Sequence, residues 1–259
     1  MLDFLTERLK QGYRTHPFPK EEPTLPDRFL GRPEMEASLC SGAVCRKCAD
    51  VCPTSAIRYE DGKALIDLGA CIFCGSCASS CPNNAITFTR DYRLATRKRE
   101  DLLIHQDKKA YQLAEALEAK SLALFGRSLK LRQVSAGGCG ACEADCNVLG
   151  TLAYDLSRFG IQFVASPRHA DGILVTGPVS ENMRIGLQKT YEALSAPKLV
   201  IAVGGCAIAG GPYADHSAVH NGVEGALGDV SVDLFVPGCP PHPYTILDGL
   251  LRLLGRREP

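Results

Sequence analysis

The sequence predicts an α/β protein in two parts, a small cysteine-rich module followed by a larger domain built on a doubly wound parallel sheet. Closely spaced cysteines occur in two similar runs within residues 36–90, whereas residues 128–259 alternate between apolar, β-branched segments and helical patterns. Hydrophobic residues make up 45% of the 259, enough for two cores. We expect four segments, at residues 1–35, 36–90, 91–127 and 128–259.

The two cysteine runs carry the first functional signal. One follows the pattern C-x2-C-x2-C-x3-C-P, in which three cysteines bind a [4Fe-4S] cluster and the fourth binds a second cluster. The other run repeats the C-x2-C-x3-C-P portion, with Cys40 five residues before Cys45 instead of three. The crossover assigns Cys40, Cys45, Cys48 and Cys81 to one cluster, and Cys71, Cys74, Cys77 and Cys52 to the other. Residues 36–90 therefore form a two-cluster ferredoxin-like module of α+β type.

Zinc and disulfides are the alternatives for these cysteines. Pairs of the form C-x2-C also bind zinc, but three close cysteines followed by proline, present twice, favour iron–sulfur clusters. The chain has 13 cysteines among 259 residues, below the density of a disulfide framework. The pattern therefore favours a chain that transfers electrons.

Charge and hydropathy exclude other classes of function. The formal net charge is zero, without the one-signed field typical of nucleic-acid binding, so we expect no nucleic-acid partner. No apolar stretch reaches the roughly 18 residues of a membrane helix, and the first residues lack a basic, signal-like region. We expect a cytoplasmic chain.

The segments at residues 1–35 and 91–127 are predicted to be connecting structure. Leucines 2, 5 and 9 have helical spacing, and a proline-punctuated arm that lies extended is expected to follow them, with a poorly ordered terminus as the alternative. Leucines 113, 117 and 124 lie on one stripe, which predicts a linker helix.

The rear domain is predicted to be flavodoxin-like. Buried strands are expected at residues 129–134, 161–165, 172–176, 199–203 and 232–236, and helices at 145–158, 181–194 and 244–254. Shorter strands at 55–59 and 85–89 follow the two cysteine runs. Ligands of such sheets bind beyond the carboxyl ends of the strands.

Four further cysteines follow strand ends in this domain. Cys139 and Cys142 come after the first strand, Cys206 after the fourth and Cys239 after the fifth, in loops rich in glycine and proline. Backbone without a Cβ can approach inorganic sulfide closely. The sequence thus predicts a third [4Fe-4S] cluster.

These loops carry a family resemblance. Gly138-Cys-x-x-Cys-Glu143, the Gly-Gly-Cys-x-x-x-Gly-Gly loop and Pro-Gly-Cys-Pro-Pro resemble the small subunit of [NiFe] hydrogenases and the cluster-bearing subunit of respiratory complex I, the 20 kDa subunit of NADH-quinone oxidoreductase. Residues 166–171 and 175–183 resemble the membrane-bound, energy-converting hydrogenases, which include formate hydrogenlyase. The front, with Phe29-Leu-Gly-Arg-Pro-Glu34, resembles the ferredoxin-type subunit of these complexes, as if two subunits were fused.

The resemblance implies that Cys139, Cys142, Cys206 and Cys239 bind a proximal cluster facing the active site of a large subunit. The first-loop spacing resembles the hydrogenases, since complex I versions have adjacent cysteines there. The implied partners are a [NiFe] hydrogenase-type or complex I 49 kDa-like large subunit, membrane subunits that attach the chain to the membrane, and a ferredoxin or formate-oxidising subunit as electron donor. The chain itself has no large-subunit cysteine pairs and no nucleotide-binding motif, so we expect no active site of its own.

The remaining candidates are non-ligand residues. Glu143 and Arg168 are predicted to contact the third cluster, with a structural Arg168–Asp171 pair as the alternative. His169 and His242 are expected to cap or pack. Cys146 either replaces a ligand or lies behind the cluster as a small hydrophobe, and we expect the latter. Two other functions stay open, a complex I-like quinone reductase subunit and a free-standing electron carrier.

Overall fold

The structure, a computed structural model, describes residues 2–107 and 110–257. The front part contains short elements around the two cysteine runs. Its helices are α1 Leu2–Gln11, α2 Lys47–Asp50 and α3 Ser76–Ser79. Its strands are β1 Pro33–Met35, β2 Ile57–Glu60, β3 Lys63–Asp67, β4 Ile86–Phe88 and β5 Leu103–His105.

These five strands form two small antiparallel sheets, β2-β3-β5 and β1-β4. The predicted strands after the cysteine runs are β2 and β4, and each pairs with a strand that the sequence pattern did not indicate. Strands of three to five residues leave too short a window for a period of two to be recognised.

The rear part is the larger one. Its strands are β6 Leu129–Ser135, β7 Ile161–Phe163, β8 Gly172–Thr176, β9 Leu199–Val203 and β10 Leu234–Val236. Its helices are α4 Ala119–Phe125, α5 Ala141–Val148, α6 Glu181–Glu192, α7 Gly205–Ala209, α8 Val223–Leu227 and α9 Pro243–Leu253. All five predicted strands are confirmed.

The five strands form one parallel sheet in the order β7-β6-β8-β9-β10. Every residue of β8, β9 and β10 is buried, as expected when helices cover both faces of a sheet. Numbered from one, the order is 2-1-3-4-5, consistent with a flavodoxin-like domain. Strand order reverses between β6 and β8, so the crevice for a ligand lies at their carboxyl ends.

Two helix predictions were wrong in extent. Within residues 91–107 and 110–127, α-helix is limited to α4, while β5 joins the front sheet and Thr96 forms a bridge with Phe235 of β10. The segment is held by backbone pairing with both parts instead of by a helical stripe. The helix expected at 145–158 is α5, which starts earlier and ends before Gly150, followed by a 3-10 helix at Leu156–Phe159.

The proline-punctuated arm lies on the rear domain of the same chain. Phe18 is buried against the rings of Tyr92 and Tyr244. The guanidinium of Arg158 donates to the carbonyls of His16 and Phe18, at 2.8 Å each. The arm thus has the chain's own surface as its support.

Helix α1 presents apolar side chains to solvent. Phe4, Leu5 and Leu9 are exposed on it. Within residues 2–107 and 110–257, no helix is long and apolar enough to cross a lipid bilayer.

A buried ion network fastens the carboxyl end of the chain to the arm. The carboxylate of Asp248, fully buried on α9, accepts from the Nε of Arg252 at 2.8 Å and lies 3.1 Å from Arg257. Arg257 in turn pairs with Glu22 of the arm at 2.9 Å. Because buried charges are costly when a partner is removed, this network makes the arm part of the folded unit.

Replacing Asp248 with Ala should therefore destabilise the protein by about 3–5 kcal/mol, since it leaves the buried Arg252 without its carboxylate. Thermal unfolding followed by circular dichroism measures the loss. Glu192→Ala is the matched control, because its pair with Lys189 is on the surface and should matter by less than about 0.5 kcal/mol. Equal effects of the two substitutions would contradict this role of Asp248.

Candidate metal centres

The first predicted set of cysteines surrounds one cavity of the front part. Cys40, Cys45, Cys48 and Cys81 line this cavity. The unusual spacing before Cys45 is taken up by a 3-10 helix at Gly42–Val44, whose Ala43 N–H donates to the carbonyl of Gly62. The extra residues thus form a supported turn that still brings Cys40 to the other three.

The second predicted set surrounds another small cavity. Cys52, Cys71, Cys74 and Cys77 line it. Each cavity therefore combines three cysteines of one run with the last cysteine of the other. This is the crossover expected of a two-cluster module.

Each of the two cavities also has a backbone N–H group that donates to one of its cysteines. The N–H of Ala56 donates to the Sγ of Cys52 at 3.3 Å, and the N–H of Ala85 donates to the Sγ of Cys81 at 3.2 Å. Both donors come four residues after their cysteine. Such bonds stabilise a thiolate, the form that binds iron.

One side-chain hydroxyl enters the first cavity. The Oη of Tyr59 lies 3.3 Å from the Sγ of Cys48, and the guanidinium carbon of Arg46 lies 5.4 Å from the centre of the tyrosine ring. Burial, and then the hydrogen bond with Cys48, raises the pKa of Tyr59, which keeps the hydroxyl protonated.

The third set lies at the carboxyl edge of the rear sheet. Cys139 and Cys142 follow β6, Cys206 is in α7 after β9, and Cys239 follows β10. Burial, and then the thiols of Cys239 and Cys139, raises the pKa of Cys206 to about 11. Burial also raises the pKa of Cys142, with Cys206 and Cys239 among the further causes. The four thiols are therefore close enough to influence one another, and Cys139 and Cys239 are exposed.

Glycines leave room for a cluster among these thiols. A Cβ on Gly204, whose φ is +90°, would lie 2.5 Å from the Sγ of Cys142. A Cβ on Gly211 would lie 2.7 Å from the Sγ of Cys206. Real Cβ atoms do not approach sulfur so closely. Glycine at these two positions therefore keeps both thiols free to bind a cluster.

Three of the four C-x-x-C segments, Cys45–Cys48, Cys74–Cys77 and Cys139–Cys142, share one local conformation. The residue after the first cysteine of each segment, Arg46, Gly75 or Gly140, is left-handed and immediately precedes a helix that carries the second cysteine. The φ angles are 53°, 77° and 86°. Thus the rear loop Cys139–Cys142 has the same turn as the two ferredoxin-like loops.

Within the part of the chain that the structure describes, no three cysteine, histidine or acidic side chains converge closely enough for a single metal ion. A [4Fe-4S] cluster binds one thiolate at each of four irons, so its ligands stand apart around a central volume.

Glu143 is fixed next to the third set. Its Oε1 accepts hydrogen bonds from Ser135 at 2.6 Å and Thr176 at 2.7 Å, which join the carboxyl ends of β6 and β8. Burial raises the pKa of Glu143, but these two bonds outweigh burial and hold the pKa below its ordinary value. Glu143 is therefore a fixed negative charge at neutral pH.

Arg168 and His169 are not brought to the cysteines. Both are exposed on a 3-10 helix at Pro167–His169. The nearby Asp171 bonds to the backbone of Lys130, at the start of β6. The cysteine loops follow the other end of β6. Five extended residues place that end about 16 Å from Lys130. Asp171 thus has a backbone partner in place of the Arg168 pair weighed from sequence.

Cys146 and His242 have structural surroundings. Cys146 is fully buried in the main hydrophobic core, and burial raises the pKa of its thiol to about 12. His242 stacks on Tyr244, with ring centres 5.5 Å apart, and its Nδ1 accepts from the N–H of Tyr244 at the start of α9. Both placements agree with the packing roles expected from sequence.

The second and third sets lie against each other. A Cβ on Gly205 would be 3.3 Å from the carbonyl oxygen of Gly69 and 3.5 Å from that of Cys71. Gly205 precedes Cys206, so ligand-bearing turns of the two sets are in backbone contact. A groove lined by Ile72 and Phe73 on one side and Cys239 on the other continues this contact.

The family can now be assigned. A profile of the family described as NADH ubiquinone oxidoreductase, 20 Kd subunit, matches residues 139–253, and a profile of the 4Fe-4S binding domain matches residues 64–87. The chain is 38% identical over 136 residues to the probable membrane-bound hydrogenase subunit mbhJ of Pyrococcus furiosus, covering 80% of that protein. The chain is thus an iron–sulfur protein that belongs to the 20 kDa subunit family.

Other relatives are subunits of NADH-quinone oxidoreductases. Identity is 42% over 117 residues to the one from Heliobacterium modesticaldum and 42% over 131 residues to the one from Phocaeicola vulgatus. The matches span 45% and 50% of this chain but only 65% and 64% of those proteins. A solved structure of the membrane-bound sulfane sulfur reductase, an archaeal respiratory membrane complex, matches 54% of this chain and 75% of its own, at 32% identity and a TM-score of 0.45.

Three residues that contribute to these sites were not predicted from the sequence. They are Tyr59 and the two residues that hold Glu143, Ser135 and Thr176. Aligning the internal repeat would have marked Tyr59 because the matching residue is Phe88. No sequence signal marks Ser135 and Thr176, since their contact depends on the pairing of β6 with β8.

Gly204→Ala should remove the third cluster selectively, because the new Cβ would displace the Sγ of Cys142 at a backbone position that already disfavours a side chain. Iron content should fall from about twelve to about eight per chain when each of three sites holds four irons. Gly186→Ala on α6 is the matched control, since its Cβ would meet only Met183, at 3.7 Å. Full iron content in Gly204→Ala would contradict the assigned geometry.

Proposed function

We propose that this chain is the electron-transfer subunit of a membrane-associated [NiFe] hydrogenase complex. It holds three [4Fe-4S] clusters, two in the front module at residues 36–90 and one in the rear domain at residues 128–259. When bound, each cluster would accept and donate one electron at a time. The large subunit of the complex, not this chain, holds the catalytic centre, and membrane subunits attach the chain to the cytoplasmic face.

The observation that carries this proposal is the backbone contact between Gly205 and Cys71. Electron transfer needs carriers in close succession, and this contact joins the second cysteine set to the third. The set containing Cys40 shares the front module with the Cys71 set through their exchanged last cysteines. Electrons from a donor therefore pass first to the Cys40 set, then to the Cys71 set and then to the Cys139 set.

The chain's own groups have defined tasks in this arrangement. Twelve cysteine thiolates hold iron, and the N–H groups of Ala56 and Ala85 stabilise two of them. Glu143 holds a fixed negative charge beside Cys142 and disfavours additional electrons there. Cys146 packs beneath the site. Arg168 is left out because of its distance from the thiols.

The rim around the third set supports docking to another chain. Gly137, Cys139, Cys239, Pro240 and Tyr213 are exposed in this region and carry no charge. A cluster that exchanges electrons with a centre in a partner must lie near the surface and be dry in the complex. This rim is suited to cover by a large subunit.

A quinone reductase subunit is the second candidate. The 42% identity to NADH-quinone oxidoreductase subunits favours it, whereas the spacing Cys139-x-x-Cys142-Glu143 favours the hydrogenase. A ferredoxin or a formate-oxidising subunit would supply electrons to the hydrogenase through the Cys40 set. The two candidates differ in the final acceptor, which is protons for one and quinone for the other.

Affinity purification of the full chain with its bound subunits tests the proposal. We expect nickel in the purified complex, and hydrogen evolution when a low-potential viologen supplies electrons. Quinone reduction without nickel would assign the chain to the second candidate. A monodisperse chain that keeps all clusters in air and binds no other protein would contradict both and favour a free-standing carrier.

Cys239→Ser should abolish turnover of that complex while the two front clusters stay visible by electron paramagnetic resonance, because the front cavities contain no rear cysteine. Cys146→Ala is the matched control and should retain turnover, since its thiol is buried in the core. Loss of all cluster signals in Cys239→Ser would contradict the division into front and rear domains.

A further inference from the structure

The internal repeat of the front module places two aromatic residues at equivalent positions. Tyr59 is the seventh residue after Cys52, and Phe88 is the seventh after Cys81. Tyr59 lines the cavity of the Cys40 set, and Phe88 lines the cavity of the Cys71 set. Each ring thus lines one of the two cluster cavities.

The two positions differ in one chemical group. Tyr59 carries a hydroxyl 3.3 Å from the Sγ of Cys48, and Phe88 has none. One backbone donor is matched between the cavities, Ala56 to Cys52 at 3.3 Å and Ala85 to Cys81 at 3.2 Å. The second cavity has further donors of its own, the N–H of Phe73 to Cys71 at 3.3 Å and the hydroxyl of Ser76, 3.4 Å from Cys74. The Tyr59 hydroxyl is therefore the difference at this pair of repeat positions.

The direction of its effect follows from charge. A cysteine thiolate bound to iron has no proton, so it accepts and the Tyr59 hydroxyl donates. Reduction adds negative charge to a cluster and its thiolates, and hydrogen bonds to the sulfurs help set the potential. A donor aimed at the thiolate stabilises the reduced form more than the oxidised form. The guanidinium of Arg46, 5.4 Å from the ring centre, adds a positive charge on the same side.

We propose that Tyr59 is a potential-setting residue, whose hydrogen bond to Cys48 makes the Cys40-set cluster a stronger electron acceptor than it would be with the phenylalanine found at the Cys71 set. This inference rests on the proposed function, because it requires clusters at both sites. It also distinguishes the two front clusters of the relay from each other. The Cys71 set lies against Gly205, so the hydroxyl acts on the outer site, where an electron from a donor would first be held.

The test is a pair of reciprocal substitutions in the full chain with its clusters loaded. Midpoint potentials are measured by redox titration monitored by electron paramagnetic resonance and by protein-film voltammetry. Tyr59→Phe should make one potential more negative, by up to about tenfold in the electron equilibrium, which is about 59 mV for one electron. Phe88→Tyr should make a different potential more positive by a similar amount. The rear cluster should not respond to either change.

The outcomes separate this inference from the proposed function. Absence of iron and sulfide from the wild-type chain would refute the proposed function itself. Loaded clusters with unchanged potentials in Tyr59→Phe would overturn the role of Tyr59 alone, and so would a uniform shift of all potentials. Loss of iron in Tyr59→Phe would assign the hydroxyl a structural role instead. Failure of Phe88→Tyr to raise any potential would overturn the equivalence of the two positions.

Discussion

The close approach of two backbone turns constrains both parts of this protein. Gly69 and Cys71 of the front module lie against Gly205, which precedes Cys206 in the rear domain. A Cβ at Gly205 would lie 3.3 Å from the carbonyl oxygen of Gly69 and 3.5 Å from that of Cys71. The contact fixes the distance between two sets of cysteines that belong to different sheets. Thr96, bridged to Phe235 of β10, and the arm around Phe18 hold the two parts in this relation. An electron relay between the sets depends on that contact.

A second constraint is that thiols from distant loops must converge without filling the space between them. In the front module the repeat solves this by exchanging its last cysteines, so each cavity draws on both runs. In the rear domain the parallel sheet solves it, because the carboxyl ends of β6, β9 and β10 lie at one edge. Positive φ at Gly140 and Gly204 then lets the backbone turn at the thiols. Two unrelated architectures thus present similar C-x-x-C turns.

Much of this could be predicted from the sequence where one signal dominates. The strands β8 and β9 begin and end at the predicted residues because continuous apolar runs bounded by polar residues or glycine define them. The grouping of the front cysteines followed from spacing alone. The extent of the linker helix and the position of Arg168 could not be predicted in this way. They depend on long-range backbone contacts, of Thr96 with Phe235 and of Asp171 with Lys130. Aligning the repeats marks Tyr59, but the contact of its hydroxyl with Cys48 is visible only in the structure.

Magnetic coupling between the clusters proposed for the Cys71 set and the Cys139 set tests the central claim of a continuous relay most directly. Electron paramagnetic resonance of the fully reduced chain should show broadened, interacting signals, because Cys71 and the residue before Cys206 are in backbone contact. The interaction should disappear in a variant that lacks Cys206, with the coupling inside the front module retained. A rear-cluster signal with no interaction in the fully reduced chain would contradict the account.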